Sequence, residues 1–499
     1  MELALSLEFQ NYVAGGWCSA SSAARFKNHN PANWDEIVGN FPASGRADLD
    51  RAIASARSAF AEWRLVPAPK RGEIIKRAGD LLTQHKEKIA HLMTREMGKT
   101  LVETRGDVQE GIDTAYYAAT EGRRLFGYTV PSELPDKFCM SMQMPIGVAG
   151  IITPWNFPLA IPTWKIFPAL VCGNTVVFKP ASDTPATATR FVEILLEAGL
   201  PPEVIQLVHG SGNAVGMPLV EHTGVNLISF TGSTEVGKQI SAAASKNLKR
   251  VSLELGGKNA QIVMADADLD LALEGVLWGA FGTTGQRCTA TSRLILHEAI
   301  HDRFLGMLIK RAEKLRLGNG LEADTEVGPL INFEQRERVA EYVKIAKAEG
   351  AKLETGGEPF ATGACKKGAF FSPTIFSGVS AQMRLAQEEV FGPVLAVIKA
   401  RDFEDAVHVL NDSKYGLSSS LYTRDVNAAF KAMRDIEAGI TYINGPTIGA
   451  EAHLPFGGVK ETGNGHREGG WPVYDFFSEV KTVFVDYSGK LQRAQIDNR

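Results

Sequence analysis

The chain has 499 residues, 44% of them apolar and 22% charged, which is a globular composition long enough for two or three domains. Its 53 Lys and Arg face 57 Asp and Glu, leaving a net charge of −4 that excludes a broad electrostatic grip on nucleic acid or an anionic membrane surface. The most apolar stretch, residues 147–178, is interrupted by Pro154, Pro158, Pro162, Lys165 and Pro168, so no membrane span is expected.

The first residues lack the basic and apolar regions of a signal peptide. Residues 11–17, Asn-Tyr-Val-Ala-Gly-Gly-Trp, read as an opening strand and turn. From 49 to 124 the pattern is helical and rich in Ala, Leu, Lys and Glu, with helices expected at 51–63 and 71–96. Residues 125–145 break that pattern with Tyr-Thr-Val, Pro131, Pro135 and alternating Met and polar residues. They read as an extended excursion or hairpin leaving the main body.

After Gly147 short β-rich runs alternate with helices. Strands are expected at 148–153, 175–179, 204–209, 227–231 and 251–255, and Thr184-Pro185 opens a helix that Gly199 closes. Such alternation means right-handed βαβ units and a parallel sheet. A second series starts near 260–263 and runs to Asn444. It has strands at 293–296 and 394–399 and helices at 269–282, 301–315 and 336–349. A glycine-rich tail, 456–470, precedes a strand-like 480–485. The expected fold class is α/β, with two parallel-sheet domains and an extended segment at each end of the first.

Five scattered cysteines, at 18, 139, 172, 288 and 365, form no CxxC and fit neither a disulfide framework nor a zinc site. A reducing, cytoplasmic setting follows. His297-Glu298-Ala299-Ile300-His301 matches the zinc pattern HExxH, which requires both histidines on one helical face. The preceding apolar run places His297 at a strand-to-helix junction, so no metal site is expected. Gly210 to Gly216 resembles a dinucleotide fingerprint with one residue too many, and no acidic residue ends the following strand at the required distance.

Gly285-Gln286-Arg287-Cys288-Thr289-Ala290 is the sharper signal. A cysteine in a Gly/Thr-rich segment beside Arg287 is a candidate nucleophile, with its thiolate favoured by the neighbouring charge. A papain-like thiol mechanism with a partnered His stays open on spacing alone. Glu254 closes an apolar strand between Leu253 and Leu255, where poor solvation makes a carboxylate a usable general base. Asn156, in Thr153-Pro154-Trp155-Asn156-Phe157-Pro158, places an amide at the end of the first strand of the sheet, able to donate to an oxyanion.

Together these elements resemble the aldehyde dehydrogenase superfamily over nearly the whole chain. Pro154 to Pro158, Phe178-Lys179-Pro180, Phe230 to Gly237, Leu253 to Lys258, Gly285 to Cys288, Glu389 to Pro393 and Pro455 to Gly458 occur in the family's order. The resemblance implies oxidation through a Cys288 hemithioacetal and thioester, with Asn156 at the oxyanion and Glu254 activating water. It implies NAD or NADP, dual use being plausible. Lys179 would hold the adenosine ribose, Ser233 and Trp155 the pyrophosphate region, and Glu389, Phe391 and Gln335 ribose; Thr153, Gly232 and Leu255 would complete the cofactor contacts. Many NAD-preferring relatives carry Glu where this chain has Ser182, so room for a 2′-phosphate is expected.

The implied organisation is a dinucleotide-binding domain of 1–124 with 146–255, a catalytic domain of 256–470 and an oligomerisation arm of 125–145 with 471–499. A homodimer or homotetramer would follow. Arg287 and Phe456 are the candidate substrate contacts, and carboxylated semialdehydes the favoured substrates. Arg287 turned outward into a structural ion pair, with a broad-range enzyme as the consequence, is the alternative. A CoA-acylating enzyme would lack the base that Glu254 provides.

Overall fold

The computed structural model describes residues 7–497. Two seven-stranded sheets organise it. The first runs, edge to edge, Arg250–Glu254, Leu227–Thr231, Val148–Ile152, Thr175–Lys179, Ile205–Leu207, Asn11–Val13 and Gly16–Cys18. Its first five strands are parallel, and the opening hairpin adds antiparallel to the edge strand Ile205–Leu207. The central strands are buried at every residue, as apolar runs covered by helices on both faces must be. Strand order reverses beside Val148–Ile152, and the crevice at the carboxyl ends of such a reversal is where open sheets hold ligands. Residues 153–156 and 231–233 follow directly from those strand ends.

The second sheet has the order Lys352–Thr355, Thr374–Ser377, Val394–Ala400, Arg293–His297, Ala260–Val263, Ser418–Tyr422 and Ile440–Ile443. Only Lys352–Thr355 runs antiparallel to its neighbour. A third sheet pairs Ser478–Asp486 with Lys137–Pro145 over nine residues and adds Thr129–Pro131 at the edge. The excursion at 125–145 is therefore a strand pair completed by the chain's last strand. A short helix, Pro472–Phe477, precedes that last strand. Its Val473, Tyr474, Phe476 and Phe477 belong to the core under the first sheet.

The expected helices at 51–63 and 71–96 are Arg46–Trp63 and Ala68–Met97. Gly98 ends the second in the left-handed region, at φ +88°, where a Cβ would collide with Pro329 and Pro31. Thr100 then caps Leu101–Glu121 in a reciprocal box with Glu103. One buried helix, Ala160–Val171, escaped the sequence reading because Pro162 and Pro168 break its pattern; Pro162 falls in the first turn, where its missing N–H costs little. Among the described residues no helix is long and apolar enough to cross a membrane.

Candidate active site

The helix Leu269–Phe281 feeds a tight turn, Gly282–Gly285, that presents Cys288. Thr283 and Thr284 adopt φ +53° and +57°, a region β-branched residues avoid at a cost of about 1–3 kcal/mol each. Gly285 follows at φ +68°, and a Cβ there would lie 2.2 Å from the Gly392 carbonyl oxygen. Gln286 anchors the segment: its Oε1 accepts the Ile331 N–H at 2.9 Å and its Nε2 donates to the Pro329 carbonyl at 3.3 Å. The Asn259 amide donates to the Cys288 carbonyl at 2.7 Å.

Asn156 is buried and its Nδ2 donates to the Gln286 carbonyl at 3.1 Å. An amide nitrogen carries two N–H groups, so this bond leaves a second one to donate. Glu254 is 3% exposed, and neither of its oxygens has a hydrogen-bond partner among the described residues. Gly457, at φ +147°, lets the backbone pass beside it; a Cβ there would lie 2.4 Å from Glu254 Oε1. Burial, and then the nearby Glu468 carboxylate, raises the Glu254 pKa well above the usual carboxylate range, while Lys165 and Arg467 pull it down. Glu468 itself is paired with the fully buried Lys165, whose Nζ also donates to Ser229 Oγ at 3.0 Å. Glu468 and Lys165 are separated by 303 residues, and nothing local in the sequence marks them.

Arg287 does lower the Cys288 thiol, as expected, but it is outweighed. Burial pushes the Cys288 thiol up, and the Glu254 and Glu389 carboxylates push it further; the lowering by Arg287 is the smallest of the named effects. Adjacency in sequence misled because the guanidinium turns aside. It lies 5.3 Å from the Phe157 ring and 5.0 Å from that of Trp278, donates from Nε to Thr283 Oγ1 at 2.8 Å, and sits 3.9 Å from Glu103. Arg287 does not turn outward: it is largely buried, makes an ionic contact with Glu103 and lines the cavity in front of Cys288. That cavity, of about 750 Å³, is walled by Phe157, Trp164, Trp278, Phe456 and Ile448 beside Cys288 and Glu254. Arg287 is its one lysine or arginine among the described residues, and Glu110, Asp113 and Glu451 line it as well. Phe456 packs on Trp164 with ring centres 4.8 Å apart.

The other candidates lie at the carboxyl ends of the first sheet or opposite them. Lys179 ends its strand, accepts the Thr153 N–H on its carbonyl at 3.3 Å, and is driven by burial to a pKa of about 8. Ser182 donates to the Gly210 carbonyl at 3.2 Å, so the Gly210 to Gly216 turn packs beneath that corner. Ser233 caps the helix Thr234–Ser245 by accepting the Val236 N–H, and the Gly232 N–H meets the Glu254 carbonyl at 3.0 Å. The Leu255 N–H donates to the Thr462 carbonyl at 2.8 Å, so the glycine-rich tail lies across this strand end. Trp155 meets Phe391 edge-on at 5.4 Å, and Gln335 braces the Phe391 turn by donating to the Val390 and Phe391 carbonyls. Glu389 accepts the Gly257 N–H at 3.0 Å. A buried lysine, an orphaned Thr231 hydroxyl and a capped helix start at neighbouring strand ends fit a phosphorylated dinucleotide. His297, by contrast, closes a strand and accepts the Ala299 N–H, while His301 opens the next helix, so the two do not share a helical face.

The model of the aldehyde dehydrogenase family matches residues 17–483. The chain belongs to that family. It is 43% identical to an alpha-ketoglutaric semialdehyde dehydrogenase of Bacillus subtilis, over 96% of this chain and 98% of that one. It is 41% identical to a 2,5-dioxopentanoate dehydrogenase of Saccharolobus solfataricus, over 95% and 98%. Among solved structures, a betaine aldehyde dehydrogenase of Staphylococcus aureus in complex with NAD+ superposes with a TM-score of 0.95 at 36% identity, covering 98% and 99% of the two chains. The family fold accounts for both parallel sheets.

Proposed function

We propose that this aldehyde dehydrogenase oxidises carboxylated semialdehydes to the corresponding acids with NAD or NADP. The observation that carries the chemistry is the meeting of Cys288 and Glu254 at one cavity, with the buried Asn156 amide bonded to the Gln286 carbonyl two residues before the nucleophile. Cys288 releases its thiol proton to water, its Sγ adds to the aldehyde carbon, and the Asn156 amide with the Cys288 N–H meets the resulting oxyanion. Lys179, Ser182, Ser233, Trp155, Glu389 and Phe391 would hold the dinucleotide, which when bound accepts hydride from that carbon. A thioester on Cys288 remains. Glu254 takes a proton from water, the hydroxide displaces the thiolate, and the acid leaves. The orphaned Glu254 carboxylate favours hydrolysis over transfer to CoA.

The substrate reading rests on Arg287, held between two aromatic rings in the cavity wall, and is supported by the semialdehyde-oxidising relatives. Short semialdehydes ending in a carboxylate are expected to beat uncharged aldehydes of equal length in kcat/KM. Arg287→Leu should remove most of that advantage while sparing hexanal; a charged pair of this kind is worth about 1.5–3 kcal/mol, roughly ten- to a hundredfold. A cationic aldehyde is the second reading, favoured by Glu110, Asp113 and Glu451 in the same cavity. Following absorbance at 340 nm with anionic, neutral and cationic aldehydes, with and without CoA, decides among them. Equal efficiencies across the charge series would dispose of the carboxylate preference.

Cofactor choice turns on Ser182. Ser182→Glu is expected to depress NADP use much more than NAD use, because a carboxylate beside the 2′-phosphate costs on the order of 1 kcal/mol or more at partly solvated range. Equal loss with both cofactors would place Ser182 away from the ribose. The exposed Phe138, Met142, Val480 and Phe484 of the third sheet support assembly into a homodimer or homotetramer, and the reading includes a cytoplasmic setting.

A further inference from the structure

Thr283 and Thr284 hold the left-handed region consecutively, yet neither is glycine or asparagine, the residues that tolerate it. Such a turn relaxes unless its surroundings fix it. The Thr284 hydroxyl donates to the Gly328 carbonyl at 2.9 Å, and the group that holds Thr283 comes from a helix 180 residues earlier in the sequence. Glu103, on the first turn of the helix Leu101–Glu121, is buried and divides its carboxylate between two tasks. Oε2 closes the helix cap, accepting from the Thr100 N–H and hydroxyl, each at 3.0 Å. Oε1 reaches across 180 residues of sequence and accepts from the Thr283 N–H and, at 3.2 Å, from the Thr283 hydroxyl. That hydroxyl oxygen in turn accepts from Arg287 Nε, one residue before the nucleophile.

A helix cap needs only one of these oxygens. From the second, together with the strained turn it meets, we infer that Glu103 is the positioning residue of the nucleophile: it locks the Thr283-Thr284 turn and so sets the place of Cys288. The substitution Thr284→Gly supplies a backbone that adopts φ near +57° without help, so it should make the lock dispensable. The inference rests on Cys288 being the nucleophile, as proposed above.

The test measures kcat, KM for aldehyde and the dissociation constant for NAD in Glu103→Ala, alone and combined with Thr284→Gly. Glu103→Ala is expected to lower kcat about tenfold or more, since small misplacements of a reacting atom cost about that much or more. NAD binding should be unchanged, and Thr284→Gly should restore at least about a third of the lost rate. A general loss of structure would weaken NAD binding in parallel, and that result overturns the inference. So does a Glu103→Ala kcat equal to the parent's, or a loss that Thr284→Gly leaves untouched. Should Glu103→Ala fail to fold, Thr100→Val loosens the same carboxylate by removing one donor; it should lower kcat by a smaller factor that Thr284→Gly again restores, and an unchanged kcat overturns the inference. A parent enzyme with no aldehyde oxidation at all would instead strike at the proposed function.

Discussion

Cys288→Ala is expected to abolish aldehyde oxidation, by about ten-thousand-fold or more, because removing the nucleophile of a concerted site leaves little of its rate acceleration. Dinucleotide binding should survive, since the residues placed around that site lie on other elements. No other cysteine can substitute. Cys139, Cys172 and Cys365 are buried elsewhere, and Cys18 lies against Arg51 beside the edge hairpin. Burst and steady-state formation of NADH by the purified variant, with NAD affinity measured in parallel, checks both halves. Substantial turnover by the alanine enzyme would remove Cys288 from the chemistry.

Glu254→Gln should separate the two halves of the reaction. An amide cannot take a proton from water, so thioester hydrolysis is expected to slow by about a hundred- to ten-thousandfold while the first turnover stays fast. The trace to look for is a burst of NADH followed by a slow steady state. The sign of the pH dependence follows from the raised Glu254 pKa: below it the group is a neutral acid and cannot act as base. Steady-state turnover of the parent should therefore climb as pH rises past the ordinary carboxylate range, with an apparent midpoint that belongs jointly to Glu254 and Glu468. The glutamine variant should lose that dependence in its slow phase. A steady-state rate equal to the parent's would show that another group activates water.

Much of the proposed site is legible because the motifs shared with the family place Cys288, Glu254 and Asn156 at strand ends and turns. Glu254 ends, and Asn156 and Cys288 follow, an element whose apolar pattern is plain. The cavity wall was not legible. Glu103 and Glu110 come from a helix that reads as an ordinary amphipathic surface, and only tertiary packing brings its acidic stripe to the nucleophile turn. The Lys165–Glu468 pair was hidden for a related reason, since Lys165 sits in a helix that two prolines disguise. The sign of the Cys288 perturbation failed on direction: consecutive residues in a tight turn point different ways, and Arg287 faces aromatic rings and Glu103. Strands such as Ser418–Tyr422, three serines followed by Leu and Tyr, carry little hydrophobic signal and are buried by the sheet around them.

The return of residues 456–486 to the first sheet and to the strand Lys137–Pro145 has a consequence for synthesis. The strand Lys137–Pro145 and the buried Lys165 leave the ribosome some 300 residues before Ser478–Asp486 and Glu468, which complete them. Closing so long a loop costs little more entropy than closing a short one, because the penalty grows only as the logarithm of length, about 0.6 kcal/mol per doubling. The cost is one of delay. Throughout elongation the nascent chain carries an unpaired strand edge and an uncompensated cation, both natural clients for chaperones. The last segment also carries Glu468, whose carboxylate raises the Glu254 pKa, so Glu254 takes on its folded-state titration only once that segment has docked.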